Sequence, residues 1–343
     1  MSANRPQVYN YKNRSRKEWQ RWLWSVQCLA LLLLAALGCV SAAAQSVAYV
    51  PTHKSNSVAL INTATNSVID VIPVEIQPLS GAMSPNGQEV YITNSGWIFG
   101  SNSVSVISTL TNTVVATIPV GNFPIGVAFT PNGAFAYVVN SVANSVSVLD
   151  TATRTVVSTI NVGASPWGVA FTPNGAFAYV TNQSTNDVSV IDTATKSVVA
   201  TVPVGINPVG LAITPGGAFA YVANYLSNSI SVIATATNTV VNTIAVGATP
   251  ITVAITPNGA AAYVPNDGSN NVSVINTASN TVTATIAVQA NPRGVAITPD
   301  GAFAYVSNRI ANTVSVVNTA TNSVVATVMG VALFPEAVIL PAR

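Results

Sequence analysis

The chain has 343 residues, of which 49% are apolar and only 6% charged, with a formal net charge of +2. That charge sits at one end: Arg5, Lys12, Arg14, Arg16, Lys17 and Arg21 face Glu18 alone, whereas residues 45–343 carry six basic and nine acidic side chains. No basic surface is left for nucleic acid, and with Cys28 and Cys39 ahead of residue 45 and His53 the single histidine, the remainder cannot form disulfides, use a thiolate or build a cysteine- or histidine-rich metal site.

The basic stretch leads into Leu29-Ala30-Leu31-Leu32-Leu33-Leu34-Ala35-Ala36-Leu37 and then Ser41-Ala42-Ala43-Ala44. Basic, apolar and small-residue regions in that order form a secretory signal. Residues 1–44 are therefore expected to be a signal peptide, cleaved between Ala44 and Gln45. Residues 45–343 are expected to be one domain outside the cytoplasm: periplasmic, cell-surface or secreted. Two other fates fit the same residues. Residues 22–40 are nearly long enough for an uncleaved membrane anchor. Ala36-Leu37-Gly38-Cys39 resembles a bacterial lipobox, which implies a lipid on Cys39, although that pattern prefers leucine where Ala36 stands.

From residue 45 onward the chain is one unit written seven times. A tyrosine mark recurs at Tyr49, Tyr91, Tyr137, Tyr179, Tyr221, Tyr263 and Tyr305, with spacings of 42, 46, 42, 42, 42 and 42 residues. A fixed period of this size signals a propeller or solenoid. Within the copy at 178–219, segments dense in Val, Ile and Thr at 178–181, 188–192, 198–204 and 209–214 read as four strands. Thr130-Pro131-Asn132-Gly133 has the proline and glycine placement of a type I turn. Asparagine precedes the second strand in every copy (Asn56, Asn102, Asn144, Asn186, Asn228, Asn270, Asn312), as suits a tight hairpin. A proline opens the last strand at Pro78, Pro124, Pro166, Pro208, Pro250, Pro292 and Pro335, where a missing donor is tolerated. The first copy starts at its tyrosine strand, and Pro341 stands where the next copy's turn would begin. One blade should therefore combine residues 336–340 with residues 47–74, closing the ring. The expected fold is all-β: a seven-bladed propeller of four-stranded antiparallel blades.

The strings AYVTN, SVSVIDTAT, TVVATIPVG and GVAFTPNG, which recur through residues 46–343, resemble the YVTN-type β-propeller repeat family. That resemblance implies the fold and an exported or cell-surface protein of bacterial or archaeal type. Propeller relatives of that family include lactonases and amine dehydrogenase heavy chains. It implies no particular activity, because one fold carries many functions.

In such a blade the TPNG and DTAT turns share one face, which is nearly uniform around the ring. The loops on the other face differ from copy to copy, and function on a rigid scaffold concentrates in such loops. Here lie His53 and Lys54, then Trp97, Ile98 and Phe99 on the one lengthened loop (93–102). Phe123, Trp167, Tyr225, Leu226, Asp267, Arg293, Arg309, Ile310, Phe334 and Glu336 belong to the same face. Trp97, Ile98, Phe99, Trp167, Tyr225, Arg293, Arg309 and Glu336 form the expected partner or ligand face. The aromatic loop reads either as a partner anchor or as a plug for the central channel. Arg293 and Glu336, in adjacent blades, read as an ion pair, or Arg293 as the holder of a ligand carboxylate. Asp150 and Asp192 read as turn caps. Asn266-Asp267-Gly268 opens like a calcium loop but lacks the alternating acids. His53, Asp267, Arg293, Arg309 and Glu336 are expected to be scattered over different blades, supplying at most part of a catalytic set. No catalytic residue, cofactor or metal site is assigned. The reading is a binding module of the cell envelope, with a protein or envelope component as partner and membrane contact only through Cys39 or an uncleaved anchor. The alternative is a periplasmic lactonase-like enzyme, or an electron-transfer-associated subunit, working at the channel mouth.

Overall fold

Alternating Val, Ile and Thr between turn residues drives each copy into short strands, and the computed structural model, which describes residues 47–96 and 101–341, folds them into seven sheets. The expected signal segment and Trp97, Ile98 and Phe99 lie outside the described residues. Blade 3 is typical, with strands Pro166–Phe171, Phe177–Asn182, Asp187–Asp192 and Ser197–Pro203 in sequence order, all antiparallel. In the same manner blade 1 spans 78–119, blade 2 124–161, blade 4 208–245, blade 5 254–287 and blade 6 292–328. The strand led by proline thus pairs with the tyrosine strand that follows it. It opens the next blade rather than completing the preceding copy. Among the described residues the one helical element is a 3₁₀ turn, Asp267–Ser269.

Blade 7 closes the ring as expected. Its own strands are Val47–Thr52, Ser57–Asn62 and Ser67–Pro73, and the C-terminal segment supplies the innermost position. Tyr49 and Ile339 exchange backbone hydrogen bonds of 2.9 Å each, and Glu336 N donates to Pro51 O at 3.0 Å.

The tyrosine strand and the one after it are buried on both faces, because neighbouring blades pack on either side. Seven apolar clusters lie around the ring, most of them shared by two blades. The innermost strands approach so closely that a Cβ on Gly126 would sit 2.6 Å from Trp167 O, and one on Gly294 2.6 Å from Glu336 O. The outermost strand is the exposed edge, and in every blade a register shift against its neighbour leaves one extra residue bulged outward. Bulges of this kind spoil an edge as a template for pairing with another chain.

Two of the repeated polar residues tie blades together. Asn56, Asn144, Asn186, Asn228, Asn270 and Asn312 adopt left-handed backbone, as the turn requires. Asn102, at the lengthened loop, does not. All seven amides nevertheless accept a backbone N–H some twenty residues on, just before the next blade's proline, as in Asn144 Oδ1 to Ser165 N at 2.9 Å. Five tyrosine hydroxyls donate to an asparagine in the outer turn of the next blade, such as Tyr221 to Asn280 at 2.6 Å and Tyr305 to Asn66 at 2.6 Å. Arg154 and Lys196 occupy the asparagine position opposite Tyr91 and Tyr137, and Arg154 pairs with Glu89 instead.

Burial raises the tyrosine phenols, and those of Tyr91, Tyr179 and Tyr305 are pushed up to about 12. A raised phenol stabilises the fold fully below the unfolded value of about 10, and that contribution is lost as pH climbs toward the folded value. Urea midpoints should therefore fall between pH 9 and 11.5, less steeply in Tyr179→Phe. A midpoint unchanged over that range would contradict the assignment.

Candidate functional site

Two positions of the repeat meet at the end of the channel on the loop-rich face. One follows the recurring proline: Leu79, Ile125, Trp167, Val209, Ile251, Arg293 and Glu336. All except those of blade 7 and blade 5 begin a regular inner strand, and all but Val209, which is buried in the core of blades 4 and 5, line the central cavity, which has a volume of about 220 Å³. The other follows the tyrosine strand: Ser95, Ser141, Gln183, Tyr225, Asp267, Arg309 and His53. In every blade the N–H of this second residue donates to the carbonyl just before the recurring proline, as in Asp267 N to Thr249 O at 3.0 Å and His53 N to Phe334 O at 2.9 Å. The backbone therefore sets the two rings of positions side by side.

Across blades 5, 6 and 7 the two rings carry Asp267, Arg293, Arg309, Glu336 and His53, and these side chains converge. Glu336 is the hub. Its Oε2 receives Arg293 Nη1 at 3.2 Å and its Oε1 receives Arg309 Nε at 2.7 Å. Arg293 Nη2 lies 4.0 Å from Asp267 Oδ2. Both acids are only 7% exposed, whereas the arginine side chains remain about a quarter exposed. Arg309 also stacks on Phe334 at 4.5 Å, with Lys54 Nζ at 4.2 Å from the same ring. Burial raises the Asp267 carboxyl, against the pull of Arg293 and Arg309. Burial lowers the His53 imidazole; Glu336 opposes this, while Arg309, Arg293 and Lys54 reinforce it, which favours the neutral imidazole. Three polar atoms here are buried without a hydrogen-bond partner: His53 Nδ1, Asp267 Oδ1 and Arg293 Nε.

The local backbone is adapted to this set. Blade 5 has an inner strand of only two residues, Ala254–Ile255, because Pro265 occupies its tyrosine strand and Thr252 stands where blades 2, 3, 4 and 6 have glycine. Thr252 Oγ1 donates to Arg293 O at 2.6 Å, and Ser307 Oγ donates to Glu336 O at 2.7 Å. Both arms of the central ion pair thus hang from hydrogen-bonded backbone.

The expectation that these five residues are scattered is corrected. They come from three blades but meet, because ring closure makes blade 7 the neighbour of blade 6. The Arg293–Glu336 ion pair is present. Reading the seven copies by column would have shown the convergence, since the charged or imidazole side chains of both columns fall only in blades 5 to 7. Trp167 lines the cavity on the far side and packs against the core of blades 4 and 5. Tyr225 packs on that core and does not join the charged set. Asp150 and Asp192 cap their turns through Thr153 N at 2.8 Å and Thr195 N at 2.9 Å. Among the described residues no three of His, Cys, Asp and Glu gather as metal ligands.

The family described as "Lactonase, 7-bladed beta-propeller" matches residues 88–202 and 153–291, together more than half of the chain. The chain belongs to this family. No curated protein matches the sequence of this lactonase-family propeller. Solved structures share its fold. Hydrazine synthase of Kuenenia stuttgartiensis aligns with a TM-score of 0.72 at 23% identity over 79% of this chain and 92% of that one. A functionally unknown protein of Desulfotomaculum acetoxidans gives 0.75 at 20% identity, over 87% and 99%. A putative 6-phosphogluconolactonase of Bacteroides uniformis gives 0.72 at 17% identity, over 86% and 99%.

Removing the hub's charge should be costly, because it leaves two arginines without their counter-ion. Glu336→Gln should lower unfolding free energy by about 1–3 kcal/mol, less than for a fully buried pair because the arginines reach solvent. Urea denaturation measures this, and a change within about 0.5 kcal/mol would show that the network is not holding the closing strand.

Proposed function

We propose that this protein is an exported propeller that binds small lactones at its channel mouth and opens them with water. The observation that carries this reading is the convergence of Asp267, Arg293, Arg309, Glu336 and His53 at the end of the channel in a member of the lactonase family. Arg293 lines the cavity and offers a partly exposed cation to a carbonyl oxygen as negative charge develops on it. Neutral His53 takes a proton from water as the water oxygen bonds to the carbonyl carbon. The ring C–O bond then breaks, and the proton passes to the departing oxygen, giving a hydroxy acid. The likeness of the fold to a putative 6-phosphogluconolactonase supports the same class of chemistry.

The purified protein should hydrolyse at least one of δ-gluconolactone, γ-butyrolactone and δ-valerolactone. Arg293→Gln should cut kcat/KM by about 10²–10³-fold. Because His53 must be neutral to accept a proton and burial lowers its pKa, the acid limb of the pH–rate profile should lie below the usual 6.5 and disappear in His53→Gln. Failure to turn over any of the three lactones, together with no binding of the matching hydroxy acids, would sink the reading.

A second role for the same face is docking to a protein or cell-envelope component, as the YVTN-type resemblance suggests. The supporting observation is that Val142, Ile206, Leu226, Ile310 and Leu333, all on the loop-rich side, are more than half exposed. Recovery from the host envelope tests export and docking together. The chain should begin between Cys39 and Ser46 and arrive with a partner that Ile206→Ser with Leu226→Ser releases. A chain still carrying residues 1–21, or undiminished capture by the double variant, would count against this role.

A further inference from the structure

The channel mouth has two unlike walls. Of the seven side chains that follow the recurring proline, Trp167 is the one aromatic, and Arg293 and Glu336 are the two charged. Ring order sets them opposite each other. Trp167 in blade 3 is three blades from Arg293 in blade 6 and, counted the other way, three blades from Glu336 in blade 7. The remaining wall at this level is Leu79, Ile125 and Ile251, all aliphatic. A cavity of about 220 Å³ is smaller than the roughly 300–1,000 Å³ of sites for drug-sized ligands. A single ring with a short acidic arm suits it better than a nucleotide or an oligosaccharide. Beside the charged wall, buried Asp267 keeps one oxygen, Oδ1, without a donor, and Arg293 keeps Nε without an acceptor. A ligand carboxylate would answer the partly exposed Arg293 side chain, and a hydroxyl beside it is the group that opening of a lactone leaves.

We infer that the ligand of this site is an aromatic hydroxycarboxylate or its lactone, with its ring against Trp167 and its carboxyl group toward Arg293. This rests on the proposed function, whose anion site it specifies. An aromatic ring lies edge-on or offset on an indole more favourably than a saturated ring of equal size. The tryptophan therefore selects for unsaturation, whereas the aliphatic wall accepts either ring.

Mandelate and hexahydromandelate separate the two contributions, since they share the hydroxyl, the carboxylate and the ring size and differ in aromaticity alone. Titration calorimetry on the purified protein should show mandelate binding about three- to tenfold tighter. Trp167→Leu should abolish that preference and leave hexahydromandelate within about twofold, Trp167→Phe should keep most of it, and Arg293→Gln should weaken both acids. If wild-type protein binds the two acids equally, or Trp167→Leu weakens both alike, the aromatic inference falls and the anion site stands. If neither acid binds by about 10 mM (a binding free energy of about −2.7 kcal/mol), the inference falls, and lactone turnover decides separately whether the underlying reading survives. Should Trp167→Leu fail to fold, the wild-type ratio and the Phe variant decide the matter.

Discussion

Closing a ring of repeats on a strand taken from the far end of the chain is the constraint on which the rest of this protein depends. Seven copies of one unit leave an inner strand missing at one end and a surplus one at the other. Residues 334–339 fill the gap through backbone bonds to Tyr49, Pro51 and His53. The closing segment also carries Glu336, whose carbonyl accepts Ser307 Oγ and whose carboxylate takes both Arg293 and Arg309. Without closure Arg309 would lose its carboxylate partner and Arg293 would keep only Asp267, at 4.0 Å. The same few residues complete the fold and complete the mouth of the channel.

Three of the polar side chains that repeat act between copies. The tyrosine hydroxyl reaches the outer turn of the next blade, and the hairpin asparagine reaches the chain just ahead of the next proline. Thr93 and Thr181 bond the inner-strand carbonyls of Ile125 and Val209 in the same manner. A bond shared by neighbours can be copied seven times without change, since each blade is donor on one side and acceptor on the other. Repeats of this kind gain their stability from nearest-neighbour interfaces. That requirement holds the repeated residues fixed and leaves the loop residues between them free to differ.

The architecture was legible because its causes are local and repeated. Prolines at strand starts, asparagines at left-handed turns and a 42-residue tyrosine period each state one physical requirement seven times over. Grouping the strands was less direct. The proline strand follows the outer strand in sequence yet pairs with the tyrosine strand beyond it, and nothing in the alternation of Val and Thr distinguishes the two partners. The site was only half legible. Arg293 and Glu336 share one column of the repeat, so their pairing could be read. His53 and Asp267 belong to the other column, and their approach depends on a backbone bond common to all seven blades and on closure between residues 53 and 334. A contact made by residues that far apart has no periodic signal of its own.

The charged set stands out against its surroundings for an energetic reason. Placing two acids at 7% exposure beside two arginines costs desolvation that mutual attraction only partly offsets, and an apolar filling of similar volume commonly stabilises a fold as well or better. Leu79, Ile125, Val209 and Ile251 show that this fold accepts such a filling at the same position in four other blades. The ring therefore does not need charge at its mouth in order to close. Blade 5 even gives up most of its inner strand where Thr252 and Pro265 flank the set, and buried atoms of His53, Asp267 and Arg293 are left without partners. Departures from the repeat that weaken local structure, gathered on one side of a cavity and faced by a lone tryptophan, are what the proposed ligand site would impose on a scaffold otherwise shaped by packing.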